Sequence, residues 1–357
     1  MTDDISPFDT DALARWLRPA VGADEVTVRS AGRPSGGFSA ETHFVDAHLI
    51  TGGVESTRRF VMRMETPEPA VYPQQSDLDL PEIEIQYRVM SALGPAPSVP
   101  VAELIGYATD PEVCGAPFFV MSHVSGEVPG ESPPYTTEGF FTAATPAQRT
   151  TMISNGLAQL AALHAVDRST LGLEWLVPNG VEPGSRHLVD LWRTFGEREL
   201  GDRRHPRLEQ AWAIIDDELP DDRHLVLCWG DARPGNIIWR DFSPVCLTDF
   251  EAACIGPPEF DLAWWLMFDR TMHEGAGITR SPGDPDREEQ RRLYFAHAGR
   301  TPVDTRIHEL FAAARYCVIV VRVMNRLEQR GLLPADSTVW LDNPASACLG
   351  SMLDERE

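Results

Sequence analysis

Apolar positions divide the chain into a strand-rich first third and a helix-rich remainder. Asp9 to Leu17 follows Ser6-Pro7 and puts Leu13, Trp16 and Leu17 on one side of a helix. Glu25–Ser30, Glu41–Ile50 and Arg59–Met64 read as strands, with Thr51–Ser56 as a hairpin loop and prolines 67, 69 and 73 marking a longer one. Pro81 opens a helix to Leu93, with Ile83, Gln86, Met90 and Leu93 on one face. Val101–Tyr107 and Pro117–Val124, separated by a turn at Asp110-Pro111, complete an antiparallel sheet of about five strands. Gly126 to Pro134 reads as a linker. Beyond it, Thr145-Pro146 caps a helix to His164, and Leu188–Leu200, Pro206–Leu219 and Thr305–Arg330 carry helical spacing. Met272 to Arg287 is irregular, and the tail from Ser337 reads as a last short helix.

Between Leu225 and Trp265 the pattern changes to strand, loop, strand, turn, strand. Leu225–Leu227, Ile237–Trp239 and Val245–Leu247 are the apolar runs, and Gly230, Pro234 and Gly235 force the loop. Asp231 therefore falls at a loop apex, Asn236 where the loop rejoins a strand, and Asp249 just past the next strand. Three oxygen-bearing side chains can converge there. Metal-assisted phosphoryl transfer needs such a set: a carboxylate to orient the attacking hydroxyl and take its proton, and oxygens to hold Mg²⁺ on the phosphates. Asp231 suits the base, and Asn236 and Asp249 suit the metal. The interval from Asp231 to Asn236 equals that between the aspartate and asparagine of protein-kinase catalytic loops. Arg233 could grip the transferring phosphate in two-pronged fashion. Asp261, ahead of the apolar Leu262–Phe268, reads as a helix cap, and His164 as a core or helix-end histidine.

Composition narrows the field. With 357 residues the chain is long for one core, so two parts are expected, 1–124 and 125–357. A formal charge of -23 argues against nucleic-acid and anionic-membrane binding. No lysine occurs, which removes a Walker P-loop and any lysine Schiff base. Six cysteines without CxxC spacing suggest reduced core thiols rather than zinc or disulfides. The acidic N-terminus lacks signal-peptide character and no apolar run is long enough to span a bilayer, so a cytoplasmic protein is expected.

Trp229-Gly230-Asp231 with Pro234-Gly235-Asn236, Thr248-Asp249-Phe250-Glu251 and Asp261-Leu262-Ala263 together resemble the aminoglycoside phosphotransferase-like branch of the protein-kinase-like fold. The resemblance implies an α+β, two-lobed protein: an N-terminal antiparallel sheet with a helix, and a mostly helical C-terminal lobe. It also implies ATP or GTP as co-substrate with Mg²⁺, and a small-molecule alcohol as acceptor, an aminoglycoside among them. By resemblance, Ser35, Gly36 and Gly37 lie in the phosphate-covering turn, Arg63 stands where kinases carry a lysine, and Gln86 where they carry its glutamate partner. Ser122, His123 and Val124 form the segment whose backbone meets the nucleotide base. Arg63 is left to pair with Glu82 or Glu84, or to be held by Gln86. Trp229 replaces the family's histidine. Hydroxyacyl thioesters and choline- or sugar-like metabolites are alternative acceptors. A nucleotide-binding module without turnover, supported by Trp229, Arg63 and Gln86, and a metal-dependent hydrolase are the competing classes.

Overall fold

The computed structural model describes residues 8–33, 41–68, 70–334 and 336–356. Packing divides it into two compact units, one of residues up to 70 and 79–125, the other of 71–78 and everything from 126 onward.

The first unit is a five-stranded antiparallel sheet ordered β1-β2-β3-β5-β4, from β1 (Glu25–Ser30), β2 (Glu41–Thr51), β3 (Val54–Met64), β4 (Leu104–Ala108) and β5 (Phe118–Ser122). The hairpin loop expected over six residues is a two-residue turn: Gly52 and Gly53 both take positive φ, and the strands run to its edges. Helix α1 (Thr10–Ala20) starts where Asp9 accepts from the amides of Asp11 and Ala12, both at 2.9 Å. Its Leu13 and Leu17 pack with Val45, Phe60, Met62 and Phe118 in one buried core. Side chains alternate along a strand, so Arg63, between Met62 and Met64 of that core, projects from the opposite face. Helix α2 (Glu82–Leu93) packs on β4 and β5. The turn expected at Asp110-Pro111 is a one-turn helix, α3 (Pro111–Cys114), capped by Asp110.

The second unit is mainly helical: α4 (Phe140–Ala143), α5 (Pro146–His164), α6 (Ser185–Leu200), α7 (Pro206–Glu218), α8 (Pro258–Arg270), α9 (Arg287–Ala298), α10 (Arg306–Gln329) and α11 (Pro344–Asp354). A capping box between Thr145 and Gln148 starts α5. Helix α8 is buried on every side up to Asp269, as an apolar helix must be at the centre of a bundle, and α10 packs along it. Two short antiparallel pairs interrupt the helices: β6 (Val226–Cys228) with β9 (Cys254–Gly256), and β7 (Ile237–Arg240) with β8 (Ser243–Leu247). The expected linker is in part a bridge to β7. Glu127 and Trp239 exchange both backbone hydrogen bonds at 2.8 Å, and a Cβ on Gly126 would lie 2.5 Å from the Trp239 carbonyl.

Candidate active site

The loop between β6 and β7 is shaped by one glycine. Gly230 has φ of 85°, and a Cβ there would stand 1.9 Å from the Ala252 carbonyl, so no other residue fits without moving the chain. Asp261 fixes the same point from beneath. Its carboxylate accepts from the amides of Trp229 (2.6 Å) and Gly230 (2.8 Å) and is paired with His164 at 3.0 Å. His164 ends α5 and also bonds the Tyr294 hydroxyl at 2.7 Å. The expected cap function of Asp261 is thus replaced: it lies in the first turn of α8, whose N-cap is Pro257, and braces the loop. Arg315 of α10 completes the support. Buried over the Phe260 and Trp264 rings (3.8 and 4.3 Å), it donates to the Gly230 carbonyl at 2.8 Å, and burial pulls its pKa down to about 10, leaving it charged at neutral pH.

So held, Asp231 turns into a ring of donors. Oδ1 accepts from the Trp264 indole (2.7 Å), and Oδ2 from the Asn236 amide (2.8 Å) and the Tyr72 hydroxyl (3.2 Å). Arg233 Nε approaches Oδ1 at 2.9 Å as an ion pair, its N–H not aligned on the oxygen. The guanidinium also pairs with Glu131, reaching it past Gly235, and lies 4.9 Å over the Phe268 ring. Burial is the main influence on the Asp231 carboxyl and raises its pKa; the Trp264, Asn236 and Tyr72 hydrogen bonds oppose the rise and the Asp249 charge adds to it, leaving about 6. Asp231 is therefore mostly ionised at neutral pH and able to take up a proton.

Asn236 gives both of its amide hydrogen bonds to Asp231, one to the backbone carbonyl at 2.9 Å and one to Oδ2, which turns its oxygen the other way. Its own carbonyl accepts from the Thr248 amide and hydroxyl, each at 3.0 Å. That clasp closes the β7–β8 hairpin and carries the next residue, Asp249, to the Asn236 side. Asp249 has φ of 56°, a left-handed backbone uncommon outside glycine, and its charge is felt by both Asp231 and Arg233. Trp229 keeps an orienting hydrogen bond where the family has histidine, its indole donating to the Thr248 carbonyl at 2.7 Å. Asp231, Arg233, Asn236 and Asp249 are thus gathered within one unit. Tyr72, Glu131, Trp264 and Arg315 join them without having been singled out from the sequence. The buried Trp264 indole N–H needed an acceptor, which was the available signal for that residue.

In the sheet unit, Arg63 pairs across the sheet with Thr42 and Phe119. Glu84 is engaged by Arg88 and by the Tyr107 hydroxyl at 3.1 Å, and Glu82 and Gln86 are buried one helical turn apart. The amides of Ser122 and His123 donate to the carbonyls of Glu103 (2.8 Å) and Arg59 (3.1 Å), and Val124 follows as the chain leaves the sheet. Ser35, Gly36 and Gly37 lie outside the described residues.

An antiparallel sheet unit followed by a helical unit whose hairpin and loop gather an Asp, an Asn and a second Asp defines a protein-kinase-like phosphotransferase fold. Solved structures share it. A provisionally assigned aminoglycoside phosphotransferase from Ralstonia eutropha matches with TM-score 0.69 at 22% identity, over 97% of this chain and 99% of that one. Aminoglycoside 2'-phosphotransferase-IIIa, solved as its GDP complex, matches with TM-score 0.57 at 15% identity, over 98% of this chain and 100% of that one. The chain belongs to the phosphotransferase enzyme family, whose sequence profile matches residues 33–302. It is also similar to acyl-CoA dehydrogenase family member 11 of Rattus norvegicus, 25% identical over 307 residues, 83% of this chain and 36% of that protein. The chain spans about a third of the length of the curated relatives it matches.

Proposed function

We propose that the protein transfers the terminal phosphate of ATP or GTP to a hydroxyl of a small molecule, with Mg²⁺. The observation that carries this reading is the convergence of Asp231, Asn236 and Asp249 on a loop whose geometry Gly230, Asp261 and Arg315 dictate. Asp231 takes the acceptor proton. Arg233, released from Glu131, meets the transferring phosphate. The donor set fits a hard cation: an amide oxygen turned away from Asp231 and a nearby carboxylate are the one or two protein oxygens that magnesium accepts beside phosphates and water. Bound there, magnesium would neutralise charge on the phosphates. Arg63, Gln86 and the turn at Ser35, Gly36 and Gly37 are assigned to the nucleotide phosphates. For the base, the amide of Val124 is the better candidate in its segment, since those of Ser122 and His123 donate within the sheet unit.

Two acceptor classes have support. Fold likeness favours an aminoglycoside. The sequence relatives, acyl-CoA dehydrogenase family members, favour a hydroxyacyl thioester as the second reading. A cytoplasmic setting is supported by six buried free cysteines, and no helix among the described residues is long and apolar enough to cross a membrane. The deciding experiment is ATP- and GTP-dependent phosphorylation of aminoglycosides, sugars, choline and hydroxyacyl thioesters, with Asp231→Asn as the control. Phosphorylation of one class by wild type alone is expected. A MgATP-stabilised protein that hydrolyses and transfers nothing would instead mark a binding module, and phosphate appearing only in water a hydrolase.

A further inference from the structure

Tyr72 brings a hydroxyl to Asp231 from within the chain. It belongs to residues 71–78, which pack with the helical unit; there the Asn179 amide donates to Asp77 at 2.7 Å, and the Tyr72 ring meets Trp192 edge-on at 6.3 Å. An ionised carboxylate only accepts, so the 3.2 Å contact is a phenolic O–H directed at Asp231 Oδ2. Oδ1 is meanwhile held by Trp264 and Arg233. A phosphoryl acceptor must make that same contact, its hydroxyl proton on the base and its oxygen facing the phosphate. Tyr107 and Tyr294 spend their hydroxyls elsewhere, on Glu84 and His164. Tyr72 is only partly buried.

We propose that Tyr72 is an internal phosphoryl acceptor, phosphorylated by the protein's own site when a magnesium nucleoside triphosphate is bound and no small-molecule alcohol displaces the phenol. This rests on the phosphotransferase reading above. The phenolic oxygen attacks the terminal phosphorus; the new O–P bond forms as the bond from that phosphorus to the bridging oxygen of the nucleotide breaks. The phenol proton passes to Asp231 Oδ2, and nucleoside diphosphate leaves. Tethering favours the step, because a reactant already oriented on the base avoids the entropy of a bimolecular encounter. The product places a charge of roughly -1.5 to -2 beside Asp231 and Asp249, so repulsion then drives the ring off the base.

The test incubates the full chain with Mg²⁺ and terminally labelled ATP, and separately GTP, without acceptor, and follows intact mass and phosphopeptides. One phosphate on the Tyr72 peptide is expected, gained at a rate independent of protein concentration and lost in Tyr72→Phe and in Asp231→Asn. Phenylalanine keeps the ring on Trp192, and mapping of the wild-type chain decides the matter even if that variant fails to fold. Nucleotide turnover, or phosphorylation of an added alcohol, with the protein mass unchanged or the phosphate on another residue would overturn this proposal alone. Neither turnover nor a melting shift with either nucleotide would overturn it together with the phosphotransferase reading.

Discussion

Asp231 and Asp261 are buried in the same unit and held in opposite ways. Asp261 is bonded mainly to backbone, the amides of Trp229 and Gly230, which cannot leave without unmaking the loop. Asp231 is held by side chains on three segments: Tyr72, Trp264 of α8, and Asn236 and the paired Arg233 of its own loop. Backbone donors make a fixture. Side-chain donors can be exchanged for a substrate hydroxyl or a phosphate, and the pKa of about 6 leaves the group ready to gain a proton.

The sharpest way to break this contrast is Asp231→Asn. With the proposed base removed, phosphoryl transfer is expected to fall by roughly a hundred- to ten-thousand-fold, while the melting shift on adding MgATP persists. Next is Asp261→Ala, which strands two buried amides at about 1–3 kcal/mol each. Denaturant unfolding should show that loss, and activity should fall with it; an unchanged midpoint would mean Asp261 is no fixture. The mildest change, Trp264→Phe, removes one donor from the ionised base and keeps most of the packing. The acid limb of kcat/KM, expected near pH 6 in the wild type because the proposed base acts ionised, should move to higher pH by about one unit or less. A shift to lower pH would show that the indole does not stabilise the carboxylate.

Asp231, Asn236 and Asp249 were legible because loop glycines, short apolar runs and fixed spacing are local properties of the chain. Arg233 was legible as a cation beside Asp231, though its pairing with Glu131 was not, since the segment carrying Glu131 looked like a linker. Tyr72 and Arg315 could not be found by spacing, because each reaches the loop only through tertiary packing. Helix α9 was passed over for a physical reason: REEQRRLYFAHA is strongly polar, and it turns only Gln290, Tyr294 and Phe295 fully inward. Met272–Arg287, expected to be irregular, holds a π-helical turn at Thr271–Gly275, tied down where His273 bonds Asp284 at 2.7 Å and Arg280 pairs with Asp269.

The left-handed backbone at Asp249 sets backbone ease against purpose. Glycine would occupy φ of 56° without steric cost, yet it has no oxygen to offer a cation. On the role proposed for it, Asp249→Gly should transfer no phosphate, while its melting temperature weighs relief of the backbone against the contacts of the lost carboxylate. Selecting variants for thermal endurance alone would then be blind to the loss of transfer.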